Sequence, residues 1–152
     1  MQALQLNHEK LEQIVRELNT DFFPRIQDQD AVSVKVFYLM GKVAQLGRVW
    51  ALTVGEQGAD LQHYNLKAYS ELIVIMTAVG LEIPYPDRPE KLEKRESIFD
   101  QFQLLFERIA ALQFDDHYIE VWEALLGLGE LMGFTAAQVE AEIRSTYGGD
   151  AA

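Results

Sequence analysis

The chain has 152 residues, 24 Asp and Glu against 13 Lys and Arg, a formal net charge of −11, 49% hydrophobic residues and no cysteine. The hydrophobic share excludes disorder by composition, and the lack of thiols excludes disulfides, cysteine-ligated metal centres and a thiolate nucleophile. The acidity argues against direct nucleic-acid binding, which needs a basic surface, and the length implies one domain burying about 70% of its unfolded surface.

Met1 to Leu18 lacks the basic start and apolar run of a secretory signal. The most apolar stretch, Leu72 to Leu81, is about half the length needed to span a bilayer and reads as a buried helix. No lipidation motif is visible at either end. No membrane association and a cytoplasmic location are the expectation.

Hydrophobic spacing predicts an all-α fold, a single-domain bundle of five to six helices. Residues 1–29 hold an N-terminal helix and loop, and residues 30–147 the bundle core. The first helix runs from His8 to Asn19 with Asn7 as N-cap and Leu11, Ile14, Val15 and Leu18 facing inward. Thr20 to Gln29, with Pro24, is a loop in which Phe22 and Phe23 tuck inward.

After Asp30, the apolar positions Val32, Val36, Leu39, Val43, Leu46 and Val49 step by 4, 3, 4, 3 and 3, the mark of one buried helical stripe. Val32, Val34 and Val36 alternate as a short strand would, but no partner strand is evident. Gly41 and Gly47 lie inside this helix, where small residues permit another helix to approach. Gly55 and Gly58 bracket a loop, and Asp60 caps a third helix. That helix ends near Gly80, read as the residue that stops it, with Pro84 and Pro86 beyond.

Asp87-Arg88-Pro89-Glu90 reads as a capping box opening the fourth helix, whose stripe is Ile98, Phe102, Leu105, Ile109 and Leu112. The mixed-sign run Glu90, Lys91, Glu93, Lys94, Arg95 and Glu96 then falls on exposed helix surface with i,i+4 pairing. Asp115 or Asp116 caps a fifth helix that Gly133 stops near Met132. Thr135 to Gln138 forms a second capping box and opens a sixth helix ending at Gly148-Gly149.

The chain contains no Gly-rich phosphate loop, no G-x-S-x-G elbow and no H-E-x-x-H. His8 is expected exposed near a helix start and His63 at a loop–helix junction, neither with a companion at ligand spacing. His117, Glu120 and Glu123 form H-x-x-E-x-x-E on adjacent ridges of one helix, so two could share a cation if another helix supplied further ligands. The plainer reading is a solvated face beside Ile119, Val121, Trp122, Leu125 and Leu126, and no metal ligand is assigned. The aromatics Trp50, Tyr64, Tyr69, Phe102, Phe106 and Trp122 suit a core or a dimer interface, though they could stack a base.

Three segments carry a resemblance. They are Leu39-Met40-Gly41-Lys42-Val43-Ala44-Gln45-Leu46-Gly47; Tyr69-Ser70-Glu71-Leu72-Ile73-Val74-Ile75-Met76 followed by Val79-Gly80-Leu81-Glu82-Ile83; and Leu131-Met132-Gly133-Phe134-Thr135-Ala136-Ala137-Gln138-Val139. In text and helix order they resemble the all-α nucleotide pyrophosphatases, the MazG and dimeric dUTPase-like superfamily, over residues 30–147. The resemblance implies a MazG-like fold in which an E-x-x-E motif on the long helix and an E-x-x-D motif on the next hold Mg²⁺ on a triphosphate. The chain departs from that pattern. Lys42 and Gln45 stand at the first-motif acids, Glu71 survives as the first acid of the second motif, and Val74 replaces its Asp.

The resemblance therefore implies a degenerate relative that binds a nucleotide or small ligand with weak or no hydrolysis, with Lys42, Gln45, Trp50 and Glu71 as candidate ligand-binding residues. Lys42 would serve as a point charge on a phosphate. No catalytic residue and no cofactor are assigned, and Mg²⁺ enters only if an acidic site is rebuilt elsewhere, from residues such as Glu56 or Asp60. The alternative is a non-catalytic module that binds a protein partner, a basic one given the charge. The third reading is an active Mg²⁺-dependent pyrophosphohydrolase. Two long apolar stripes, in the second and fourth helices, predict a homodimer.

Overall fold

The computed structural model describes residues 4–18, 31–54, 59–81, 89, 91–112 and 118–148. Among these the chain is all-α, with six helices and no strand: α1 His8–Leu18, α2 Ala31–Val54, α3 Ala59–Leu81, α4 Ile98–Ala111, α5 Tyr118–Leu131 and α6 Ala136–Thr146. No helix among the described residues is long and apolar enough to cross a membrane. The loop of Phe22 and Phe23, the acids Asp115 and Asp116, and His117 lie outside the described residues.

The organising element is α3. Every residue from Leu72 to Val79 is buried, so the helix is apolar around most of its circumference, as a central helix must be. It packs against α1, α2, α5 and α6, while α4 lies on α5 and α2. The stripe of α2 faces this core through Val36, Leu39, Val43 and Leu46, and α4 contributes Phe102, Leu104, Leu105 and Ile109. Leu4, Leu6, Leu11 and Val15 belong to the same apolar cluster, so the N-terminal segment is part of one core.

Most predicted signals hold. The Asn7 side-chain oxygen accepts from the Lys10 N–H at 3.2 Å, capping α1. Thr135 and Gln138 form the reciprocal capping box of α6. Gly133 takes φ +85, and the Phe134 N–H reaches back to the Gly129 carbonyl at 3.0 Å, the left-handed stop expected after α5.

Four expectations change. Helix α3 begins at Ala59, one residue before Asp60, and continues through Leu81, so Gly80 does not end it. Gly80 instead makes room: a Cβ there would collide with the Tyr118 hydroxyl. Gly47 does face another helix, with the Phe102 ring 3.6 Å from where its Cβ would lie, but Gly41 faces open space. His8 is half-buried, edge-on to Trp122 at 4.8 Å between ring centroids.

The largest correction concerns α4, which starts at Ile98 with Ser97 as N-cap and not at the Asp87–Glu90 box. The preceding residues 91–97 form a non-helical strap, because their backbone groups are claimed from outside. Glu93 N–H donates to the Glu123 carbonyl of α5 at 2.8 Å. Buried Gln101 accepts from Arg95 N–H at 2.7 Å and donates to the carbonyls of Glu93 at 2.7 Å and Ala124 at 2.8 Å. The mixed-sign run thus pairs across elements and not along a helix: Lys94 with Glu130 at 2.8 Å, Lys91 with Glu123 at 3.9 Å, and Glu93 with Arg108 at 3.1 Å. A Cβ on Gly127 would strike the Glu93 carbonyl, so a glycine in α5 is what lets the strap lie this close.

Candidate functional site

Lys42 sits on the flank of α2 beside the buried stripe, and Glu71 lies half-buried on α3 where that helix packs on α2. Packing brings the two together, with Lys42 Nζ 2.6 Å from Glu71 Oε1. Their side chains are 24% and 33% exposed, so the pair is partly desolvated and still reachable from water. The Glu71 hydrogen bond holds the Lys42 ammonium above the ordinary lysine range, with burial opposing it.

Tyr38 lies against the pair, and Tyr147 is near enough to sense the charge of Glu71. Tyr38, one turn before Lys42, places its ring 5.6 Å from the ammonium in a cation–π contact. Tyr147, just past α6, is half-buried; burial raises its phenol, and the nearby negative charge of Glu71 adds to this. Tyr38 was legible as the i−4 neighbour of Lys42. Tyr147 follows Glu71 by 76 positions and has no local signal; only the packing of α6 on α3 delivers it.

Of the remaining candidates, Gln45 is the one within a helical turn of Lys42. Gln45 is exposed on α2. Trp50, about 12 Å further along the axis at 1.5 Å per residue, packs edge-on against Phe99 at 5.1 Å and tilted against Phe102 at 6.1 Å. Val74, at the position of the second-motif acid, is fully buried in the core. Of the other aromatics, Tyr69 and Trp122 are core, and the Tyr69 hydroxyl donates to the Leu125 carbonyl at 2.7 Å.

Among the described residues no group of three His, Cys, Asp or Glu side chains is placed to hold a metal ion. Glu120 and Glu123 both face cations, Glu120 lying 3.7 Å from Arg108 and Glu123 3.9 Å from Lys91. His63 is exposed and edge-on to Tyr64. A cleft of about 340 Å³ lies elsewhere, between residues 4–9, Lys91, Leu92 and Leu126, and shares no lining residue with the Lys42 pair.

The chain matches no protein-family model, no curated protein and no solved structure.

Proposed function

We propose that this chain is a MazG-like helical protein of the cytoplasm that binds a nucleotide or a related small anionic ligand beside Lys42 and does not turn it over. The observation that carries the reading is the 2.6 Å contact between Lys42 and Glu71. Two positions that the resemblance assigns to motifs on consecutive helices meet across those helices. One of them, however, is a cation. A hard divalent ion needs several anionic oxygens, and here the one surviving acid is already neutralised by a lysine. An anionic ligand has the opposite requirement: it competes with Glu71 for an ammonium kept protonated, with the ring of Tyr38 alongside.

The test is a thermal-shift screen against nucleoside monophosphates and triphosphates, each with Mg²⁺ and with EDTA. A ligand at 100 times its dissociation constant should stabilise by about 2.7 kcal/mol, a shift of several degrees for a chain this size. The reading expects a shift that does not need Mg²⁺ and is lost in Lys42→Ala. A shift that needs Mg²⁺ would revive the pyrophosphohydrolase, with acids elsewhere rebuilding its metal site. No shift with any nucleotide would remove the ligand reading.

A second reading, a non-catalytic interaction module, is favoured by a different observation. Phe37, Phe99 and Leu52 are 74%, 73% and 67% exposed. Single exposed apolar residues are ordinary, but three large ones on or beside one helix mark a surface that a protein partner can cover.

A further inference from the structure

Residues 4–7 lie in no helix, and burial alternates along them: Leu4 and Leu6 are buried, Gln5 and Asn7 exposed. A period of two is the mark of an extended chain with one face on a core. The ends of this segment are tied down. The Leu4 N–H leans on the Glu130 carboxylate, the Asn7 N–H donates to Glu140 Oε1 at 2.8 Å, and the Asn7 carbonyl accepts from the Leu11 N–H at 3.1 Å. Between those ends, Gln5 and Leu6 make no hydrogen bond among the described residues. Buried backbone groups are nearly always paired, and an extended segment with no neighbouring strand is a template for one.

The cleft of about 340 Å³ opens beside this segment, lined also by Lys91 and Leu92 of the strap and by Leu126 of α5. Leu6, Leu92 and Leu126 make it apolar, and its volume sits at the low end of the roughly 300–1,000 Å³ of ligand sites. That is room for a side chain or two and not for a helix. Charge around the cleft is uneven. Of the charged side chains that line it or bond to its lining, Glu9, Glu123 and Glu140 stand against Lys91, while Glu130 beside Leu4 is balanced by Lys94.

We propose that this cleft receives an extended, basic segment of a partner protein. The segment's backbone pairs with Gln5 and Leu6, one apolar side chain rests on Leu6, Leu92 and Leu126, and a Lys or Arg beside it meets the acidic rim. The site goes beyond the nucleotide reading, because it shares no lining residue with Lys42 or Glu71, and it lies off the outer face of α2. Charge selects the partner: three carboxylates to one ammonium at the rim, on a chain of net charge −11, attract a basic segment and repel an acidic one. The backbone selects its form. A small aliphatic amine would suit the same volume and charge but would leave Gln5 and Leu6 unpaired, whereas an added strand supplies main-chain hydrogen bonds and turns alternate side chains into the cleft.

Fluorescence polarisation of the full chain tests this with pooled, labelled, end-blocked hexapeptides in which Leu, Ile, Val or Phe alternates with Lys or Arg. The expected result is saturable binding at physiological salt, absent from pools in which Glu replaces the basic residues. N-methylation of the peptide backbone should weaken it about tenfold or more, since the side chains stay and the N–H donors go. Glu9→Lys should weaken it about tenfold and Leu92→Lys abolish it, each keeping the helical circular dichroism of the wild type. Glu9 is exposed, so Glu9→Lys and the methylated peptides decide the matter even where Leu92→Lys disturbs the strap. Failure of every basic pool to bind overturns the proposal. Binding indifferent to N-methylation, or fully displaced by a small aliphatic amine, overturns strand addition and leaves a cation pocket. Binding indifferent to both variants places the contact elsewhere and overturns it as well. Lys42→Ala should bind the peptides as the wild type does, so failure here and failure of the nucleotide reading are told apart.

Discussion

Gln101 is a neutral side chain with no exposure to water, and it ties a backbone N–H and two backbone carbonyls from the strap and α5 to α4. Removing it strands the buried Ala124 carbonyl and strips the part-buried Glu93 carbonyl and Arg95 N–H of their partner, at roughly 1–3 kcal/mol for a group left buried and unpaired. Gln101→Ala should therefore lose about 3 kcal/mol in urea denaturation. Gln101→Glu should fare no better, since a carboxylate has no N–H to offer the Glu93 and Ala124 carbonyls.

Glu130 gives a pH signature. The Lys94 ammonium at 2.8 Å, helped by the Leu4 N–H, holds its carboxyl below the usual glutamate range. A lowered folded value means stability that is complete above the unfolded value of about 4.3 and is lost as pH falls through the folded one. The gap in urea midpoint between wild type and Glu130→Gln should be constant above about pH 5.5 and shrink below pH 4. A gap unchanged down to pH 2 would contradict that assignment. At the same scale the candidate site was half legible. Lys42 and Glu71 emerged from a resemblance in text; Tyr38 was not singled out, although helical spacing puts it one turn from Lys42, and Tyr147 needed tertiary packing.

Among the elements, the strap of residues 91–97 shows where local reasoning fails. Asp87 to Glu90 has the residues of a capping box, but a capping box acts within one segment. Here Gln101, in the helix that follows, and the Glu123 carbonyl, from a different helix altogether, claim the backbone groups that a helix would have used. Hydrogen exchange separates the two descriptions. The Glu93 and Arg95 amides should exchange slowly although they lie in no helix, while Glu96 should exchange quickly.

Gly127 provides the matching substitution. Gly127→Ala would drive a Cβ into the Glu93 carbonyl, which is backbone and cannot swing away, so a loss of about 3 kcal/mol or more is expected by urea denaturation. The stripes of α2 and α4 and the caps at Asn7 and Thr135 were read correctly because periodicity and capping are local properties. So were Gly133 as a stop and Gly47 as a helix contact, but Gly80 was misread and Gly127 passed over, since these two answer to side chains and backbone from other elements.

At the scale of the whole molecule, six amphipathic or buried segments joined through one core made the all-α bundle readable from hydrophobic spacing alone. Function is less readable, because a bundle exposes many faces and spacing does not say which one acts. The two functional readings proposed above use two places, one on the flank of α2 and one on its outer side. The flank holds an ammonium and a carboxylate neutralising each other beside Tyr38; the outer side holds Phe37 and Leu52 on a helix with no acid. The two can coexist, since Lys42 faces Glu71 on the α3 side while Phe37 points away from the core.

The central question is whether Lys42 receives an anion without a metal. Titration calorimetry of a nucleoside triphosphate into wild type, Lys42→Ala and Glu71→Gln, in EDTA and again in Mg²⁺, reads this directly. Equal binding with and without Mg²⁺ is expected, with none in Lys42→Ala and tighter binding in Glu71→Gln, where the competing carboxylate has been made neutral. Binding that requires Mg²⁺ and is weakened by Glu71→Gln would contradict that expectation and identify Glu71 as a metal ligand.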